Sequence, residues 1–180
     1  MLTLTIADSE YYNEDSATFV SVKGKTIDLE HSLVSISKWE SKWCKAFLGK
    51  EQKTREEEED YIRCMIIDRS VSPEIINGFS KEQFEKVAEY IEHKMTATTF
   101  SNINNGPVRN EVVTSELIYY WMISLNIPFE CQKWHLNRLL TLIQVCSIKN
   151  TPPKKVSRSA ILNRNAMLNA ERKKQLNTKG

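Results

Sequence analysis

Glycine is scarce, with five in 180 residues, so few backbone turns are available to cradle a phosphate. No GxxxxGK[ST] loop, GxSxG elbow or HExxH pair is present, which removes the common sequence signals for nucleotide, acyl-transfer and zinc-protease chemistry. Cysteine is equally thin. Cys44, Cys64, Cys131 and Cys146 lie far apart, and three of them fall inside apolar helical patterns. That usage fits buried free thiols in a reducing compartment, hence cytoplasmic synthesis, rather than a disulfide framework. No apolar run approaches the roughly 20 residues that span a bilayer; the longest candidate, LIYYWMISLNI, is short and carries polar atoms. The opening MLTLTIADSE lacks the basic and apolar regions of a secretory signal. Metal binding fares no better. Cys131 and His135 stand at i, i+4, but no CxxC or HxxxH completes a ligand set, so a core thiol and a hydrogen-bonded imidazole are expected. No catalytic residue, cofactor site or metal site is indicated, and an enzyme is not expected.

What is present is a heavily apolar chain with a lopsided charge. Hydrophobic residues make up 41% and charged residues 27%, ordinary for a globular protein of one core. The net charge of +2 conceals an asymmetry: from Pro152 onward there are eight basic residues and one acid, leaving 17 basic and 22 acidic side chains before it. An acidic body of residues 1–151 followed by a basic arm of residues 152–180 is the expected organisation. Such an arm can fold back, reach an acidic partner or follow phosphates.

Only the start of the chain reads as sheet. Leu2, Leu4 and Ile6 alternate with polar residues, ADSEYYNEDS reads as a polar turn region, Thr18–Val22 and Thr26–Leu29 are strand candidates, and Gly24 supplies a tight turn between them. A small β-hairpin or three-stranded meander is expected. Beyond His31 the period is helical. Leu33–Leu48 puts Ile36, Trp39, Trp43, Ala46 and Phe47 on one face, with Ser32 as N-cap and Gly49 as stop. Thr54 with Glu57, and Ser80 with Gln83, match capping boxes. Tyr61, Ile62, Met65 and Ile66 form one stripe, and Phe84, Val87, Ala88 and Ile91 another. Ser72-Pro73 opens a short helix that ends at Gly78. Residues 96–111 read as an exposed loop stopped by Asn105-Gly106-Pro107 and long enough to be functional. Thr114 caps a helix with Leu117, Ile118, Trp121, Met122 and Leu125 inward. Pro128 opens its successor, striped by Leu136, Leu139, Leu140 and Ile143, so that 114–150 forms an aromatic helical hairpin or corner. Thr151-Pro152-Pro153 is a stiff break, and Ser157–Gln175 a last helix with a thin stripe of Ile161, Leu162, Leu168 and Leu176. The fold class is therefore mainly α: a helical bundle with a small N-terminal β-hairpin or meander and a C-terminal basic helical arm.

Two features invite a sharper reading. The run REEEED could hold a divalent cation, but consecutive acids point around a helix axis, whereas calcium needs about six to eight converging oxygens. A solvated helix N-terminus that complements the dipole is expected instead. The basic arm could bind nucleic acid with a salt-dependent grip, yet it has no interleaved aromatics for stacking, and the body is acidic. Protein docking therefore ranks ahead, with Lys154, Lys155, Arg158, Ile161, Arg164, Leu168, Arg172, Lys173 and Lys174 as the partner-binding side chains. Trp39, Trp43, Trp121 and Trp134 read as core anchors, some of them candidate interface hot spots.

The segments LEHSLVSISKWESKWCKAFL, DYIRCMII, MTATTFS, TSELIYYWMISLNIPFECQKWHLNRLLTLIQVC and RNAMLNAERKKQLNTKG resemble a family of small tail-morphogenesis proteins of tailed bacteriophages and prophages, over nearly the whole chain. In size and helical character the chain is similar to tail assembly chaperones. The resemblance implies a non-enzymatic factor that binds the tape measure protein or tail-tube subunits in the host cytoplasm before the tube polymerises. The same neighbourhood implies an alternative, a structural virion component of the tail or the head–tail connector. No short motif separates the two, and no functional residue carries over.

Overall fold

A computed structural model describes residues 1–13, 17–68, 70–100, 112–151 and 157–177. The chain is mainly α with an N-terminal antiparallel ribbon, and it divides into two units, Met1–Ser147 and Ile148–Gly180.

In the first unit, β1 (Leu2–Thr5) pairs with β4 (Thr26–Leu29), and β2 (Ser9–Asn13) pairs with β3 (Thr18–Val22). The two pairs are successive halves of one bent hairpin. The register Leu4↔Ile27 puts Leu4, Ile6, Ile27 and Leu29 on the buried side. The segment expected as a polar turn thus contains a strand. β2 escapes a periodicity reading because its Tyr12 is exposed, set against Phe19 across the strands with ring centroids 5.3 Å apart and edge-on. Gly24 is not in the hairpin turn. It lies at the bend between the two halves, where its N–H donates to Asp8 Oδ1 at 2.6 Å and a Cβ would come within 2.5 Å of the Ile6 carbonyl oxygen. Close backbone approach, rather than a turn conformation, selects glycine there.

Among the described residues six α-helices follow: α1 (Leu33–Trp43), α2 (Arg55–Met65), α3 (Lys81–Glu92), α4 (Ser115–Ser124), α5 (Leu136–Asn150) and α6 (Arg158–Leu176), with 3₁₀ turns at Pro73–Gly78 and Phe129–Lys133. Capping explains most starts. Ser32 and Ser35, Thr54 and Glu57, and Ser80 and Gln83 form reciprocal boxes, and Thr114 accepts from Leu117 N–H.

Two helix boundaries differ from the sequence reading. α1 stops at Cys44, which adopts a left-handed conformation (φ 52°), not at Gly49. The strain is offset by Glu40, whose buried carboxylate accepts from Phe47 N–H at 2.8 Å and from Ser115 N–H at 2.7 Å. The chain after Cys44 turns back, and the Phe47 ring lies against Tyr61 at 3.9 Å between centroids. The helix expected from Pro128 onward is interrupted at Trp134–His135. There Ser32 and His135 form an isolated β-bridge, and Leu136 N–H donates to the His31 carbonyl at 2.7 Å. His135 then caps α5, its Nδ1 accepting from Asn137 N–H at 3.3 Å.

The core of the first unit gathers the ribbon's buried side with Leu33, Ile36 and Trp39 of α1 and with Tyr61, Ile62 and Met65 of α2. Val87 of α3, Ile118 and Met122 of α4, and Leu136, Leu139 and Ile143 of α5 complete it. The strand edge is extended beyond β4 by the exit of α2: Glu30 N–H donates to Met65 O and Ile67 N–H to Asp28 O, each at 3.0 Å. The cysteines are free, but only Cys131 is fully buried. Cys64 and Cys146 are half-buried, and Cys44 is exposed because the left-handed residue that ends α1 faces outward.

Candidate functional site

The acidic run that opens α2 is only in part the solvated dipole complement expected of it: Glu56 and Glu58 are exposed in the first turn, whereas Glu57 and Asp60 are buried. Glu57 is 2% exposed, and its carboxylate accepts from Lys45 Nζ and from Thr54 N–H at 2.8 Å. Those two hydrogen bonds, Lys45 first, hold its carboxyl below the ordinary range. Asp60 is also buried, accepting from Lys42 Nζ and from the Trp43 indole N–H at 2.9 Å. Trp39 is 1% exposed and donates to the Glu57 carbonyl at 2.8 Å. Trp39 and Trp43 therefore clamp α1 onto α2 through polar as well as apolar contacts. Trp121 and Trp134 are half-buried, and the Arg138 guanidinium lies 4.2 Å above the Trp134 ring.

Two buried histidines sit at the centre of the first unit. Their rings are 5.0 Å apart; His31 Nδ1 meets Tyr61 Oη at 2.5 Å, and His135 Nε2 lies 2.9 Å from the Tyr90 carbonyl. Because His135 Nδ1 accepts from Asn137, its Nε2 carries the proton and donates to Tyr90. Burial, then the proximity of His135, lowers the His31 pKa to about 4, and burial lowers that of His135. Burial likewise raises the Tyr61 and Tyr90 hydroxyls. Every one of these groups is neutral near pH 7 and hydrogen-bonded. The cluster is a structural polar knot. Among the described residues no group of three or more His, Cys, Asp or Glu is arranged to hold a metal ion.

The arm residues fall in the second unit. Arg158, Ile161, Arg164, Leu168, Arg172, Lys173 and Lys174 lie on α6, and every described α6 side chain is exposed. At 3.6 residues per turn, Ile161, Arg164, Leu168 and Arg172 fall within about 80° of arc, so the stripe alternates apolar and cationic. Lys173 and Lys174 lie on other faces, as do the exposed Leu162 and Met167. Lys154 and Lys155, the Pro152-Pro153 break and most of the 96–111 loop lie outside the described residues.

The sequence reading missed an open groove on the first unit. The α3 stripe is only partly covered: Val87 is buried, Phe84 and Ile91 are half-buried, and Ala88 is exposed. Opposite it stand Tyr61 and Ile62 of α2 with Phe47, enclosing a volume of about 640 Å³. Lys53, Arg55, Glu58, Glu59, Glu85 and Glu92 form the rim. The periodicity identified both stripes, but periodicity cannot tell which stripe its neighbours leave uncovered. A second apolar surface, Tyr120, Ile123 and Phe129, is exposed around α4.

Comparison with family models, with curated proteins and with solved structures gives no match. Among the described residues no helix is long and apolar enough to cross a membrane.

Proposed function

We propose that the chain is an assembly factor of the tail assembly chaperone kind, holding the tape measure protein or a tail-tube subunit through helical surfaces during phage tail morphogenesis. The observation that carries this reading is α6: a 19-residue helix whose Ile161, Leu162, Met167, Leu168 and Leu176 are all exposed among cationic side chains. A helix with so little of its own surface buried gains stability chiefly by docking, and alternating apolar and basic positions suit a groove on an acidic or mixed protein surface. The family resemblance supplies the biological setting. The aromatic segment 114–150 supports the core of the body, and the arm is the grip.

The test is co-expression with tape measure and tail-tube proteins, followed by copurification with and without residues 152–180. The full chain retains a tail protein; the truncated chain remains folded and soluble but loses it. Unfolding of the truncated chain would refute the division into body and arm. Purified particles discriminate further. A chaperone is missing from them, whereas a structural component appears at a fixed ring-like copy number. A nucleic-acid role through the arm predicts DNA binding that falls steeply as salt rises, without capture of a tail protein.

A further inference from the structure

The groove between α2 and α3 is open and lined by apolar side chains, and its shape and charge narrow what would fit it. Its floor is apolar: Phe47, Tyr61, Ile62, Phe84, Val87 and Ile91. About 640 Å³ lies within the roughly 300–1,000 Å³ of small-molecule pockets. Such pockets carry convergent polar groups that orient the ligand, however, and here the polar atoms sit on the rim. The sole buried side-chain polar atom without a partner among the described residues, Ser9 Oγ, does not line it. The opening suits a row of apolar side chains carried on a helix.

Charge then selects which helix. Four carboxylates and two cations line the rim; Glu59 is already paired with Arg55, while Glu58 and Glu92 make no salt bridge among the described residues. The occupant therefore presents apolar side chains at helical spacing with cations beside them. α6 has that pattern. Ile161 and Leu168 are seven residues apart, about 10 Å along the axis, and α3 offers about 18 Å of groove wall. Arg164 and Arg172 share their face and would reach the acidic rim.

We propose that the groove receives α6 from a second copy of this chain. Before Pro152 the chain carries 17 basic and 22 acidic residues, and from Pro152 eight basic and one acidic. Body against body and arm against arm repel, whereas arm against body attracts. Reciprocal exchange of arms satisfies both attractions at once and closes a two-fold dimer. The dimer covers the groove and the α6 stripe until a stronger partner displaces the arm. The inference shares with the proposed function the premise that α6 docks, but it concerns the purified chain alone.

The experiment is sedimentation of the full-length protein over a range of concentration and salt, without any tail protein. A dimer is expected, weakening about tenfold between 50 and 500 mM salt as the rim charges are screened. Ala88→Arg, on an exposed floor position, blocks the groove without disturbing the core and gives a monomer with unchanged circular dichroism. Glu58→Lys/Glu92→Lys and Arg164→Glu/Arg172→Glu each weaken the dimer by about tenfold, and mixing the two variants restores both interfaces of the heterodimer, one native and one charge-reversed. A monomer at every concentration overturns the proposal, leaving the groove to the same chain's arm or to a foreign helix. A dimer indifferent to Ala88→Arg also overturns it and moves the interface elsewhere, such as the exposed α4 aromatics. Either result leaves the tail-protein copurification test standing.

Discussion

Lowering the pH from 7 to 5 should destabilise the fold through His31. In the folded chain the imidazole is enclosed by Tyr61, Phe47 and His135, and its pKa falls from 6.5 to about 4. The unfolded chain takes up this proton near pH 6.5 while the folded chain refuses it until about pH 4. Stability is therefore full above pH 6.5 and declines as pH falls toward 4. A displacement of about 2.5 pKa units corresponds to about 3 kcal/mol at the limit, of which about 2 kcal/mol is already lost at pH 5. His135 is displaced in the same direction: burial outweighs its bond to the Tyr90 carbonyl and the nearby Glu30 charge, and His93 adds repulsion. Its contribution adds to the slope. Against a typical total of about 5–15 kcal/mol, the effect is easily read. Urea unfolding followed by tryptophan fluorescence at pH 7.5, 6.5, 5.5 and 5.0 should give falling stability at constant m-value. His31→Gln, which keeps an acceptor for the Tyr61 hydroxyl, should flatten most of the slope. The His31 ring resonances of the native protein should show no titration above pH 5. Equal stability at pH 7 and 5, or an unchanged slope in His31→Gln, would refute the assignment of His31 as a buried neutral group.

Three substitutions test the scaffold by thermal or urea unfolding. Glu40→Ala leaves the Phe47 and Ser115 N–H groups without their acceptor and should cost about 3 kcal/mol, with Glu40→Gln costing less because an amide oxygen still accepts. Trp39→Phe removes the indole donor from the Glu57 carbonyl and part of a fully buried ring, an expected loss of about 2 kcal/mol. Gly24→Ala drives a methyl group toward the Ile6 carbonyl and should cost about 1–3 kcal/mol; equal stability there would mean that the ribbon's bend relaxes freely.

Local chemistry with a short range was legible from sequence. Ser32, Thr54, Ser80 and Thr114 each begin a helix because a hydroxyl beside an apolar repeat satisfies orphan N–H groups within four residues. Pro73 opens a short helix for a similarly local reason. The failures share a different cause. Cys44 ends α1 because Glu40 reaches across to Ser115, 75 positions away. The helix after Pro128 breaks because His135 pairs with Ser32, about a hundred residues earlier. Glu57 and Asp60 look like surface acids until Lys45, Lys42 and Trp43 fold over them. The arm stripe was visible as a pattern, but the groove was not, because an uncovered face depends on what neighbouring elements fail to reach.

The same long-range contacts account for how a small body keeps apolar surface in the open. An uncovered apolar groove tends to collapse, and collapse here would require α3 to rotate or slide toward α2. α3 is held from the other side: Gln83 Nε2 donates to the Thr5 carbonyl at 2.9 Å, the Tyr90 hydroxyl donates to Glu30 at 2.6 Å, and His135 bonds the Tyr90 carbonyl. α2 is held from its far face by Trp39, Trp43, Lys42 and Lys45. Moving either helix would strand buried donors and acceptors at about 1–3 kcal/mol each, comparable to the about 25 cal/mol per Å² that closing over a modest apolar area would return. Polar bonds on the rear faces thus oppose closure on the front. The association proposed above would gain from that arrangement, because a preformed surface incurs little ordering cost on binding.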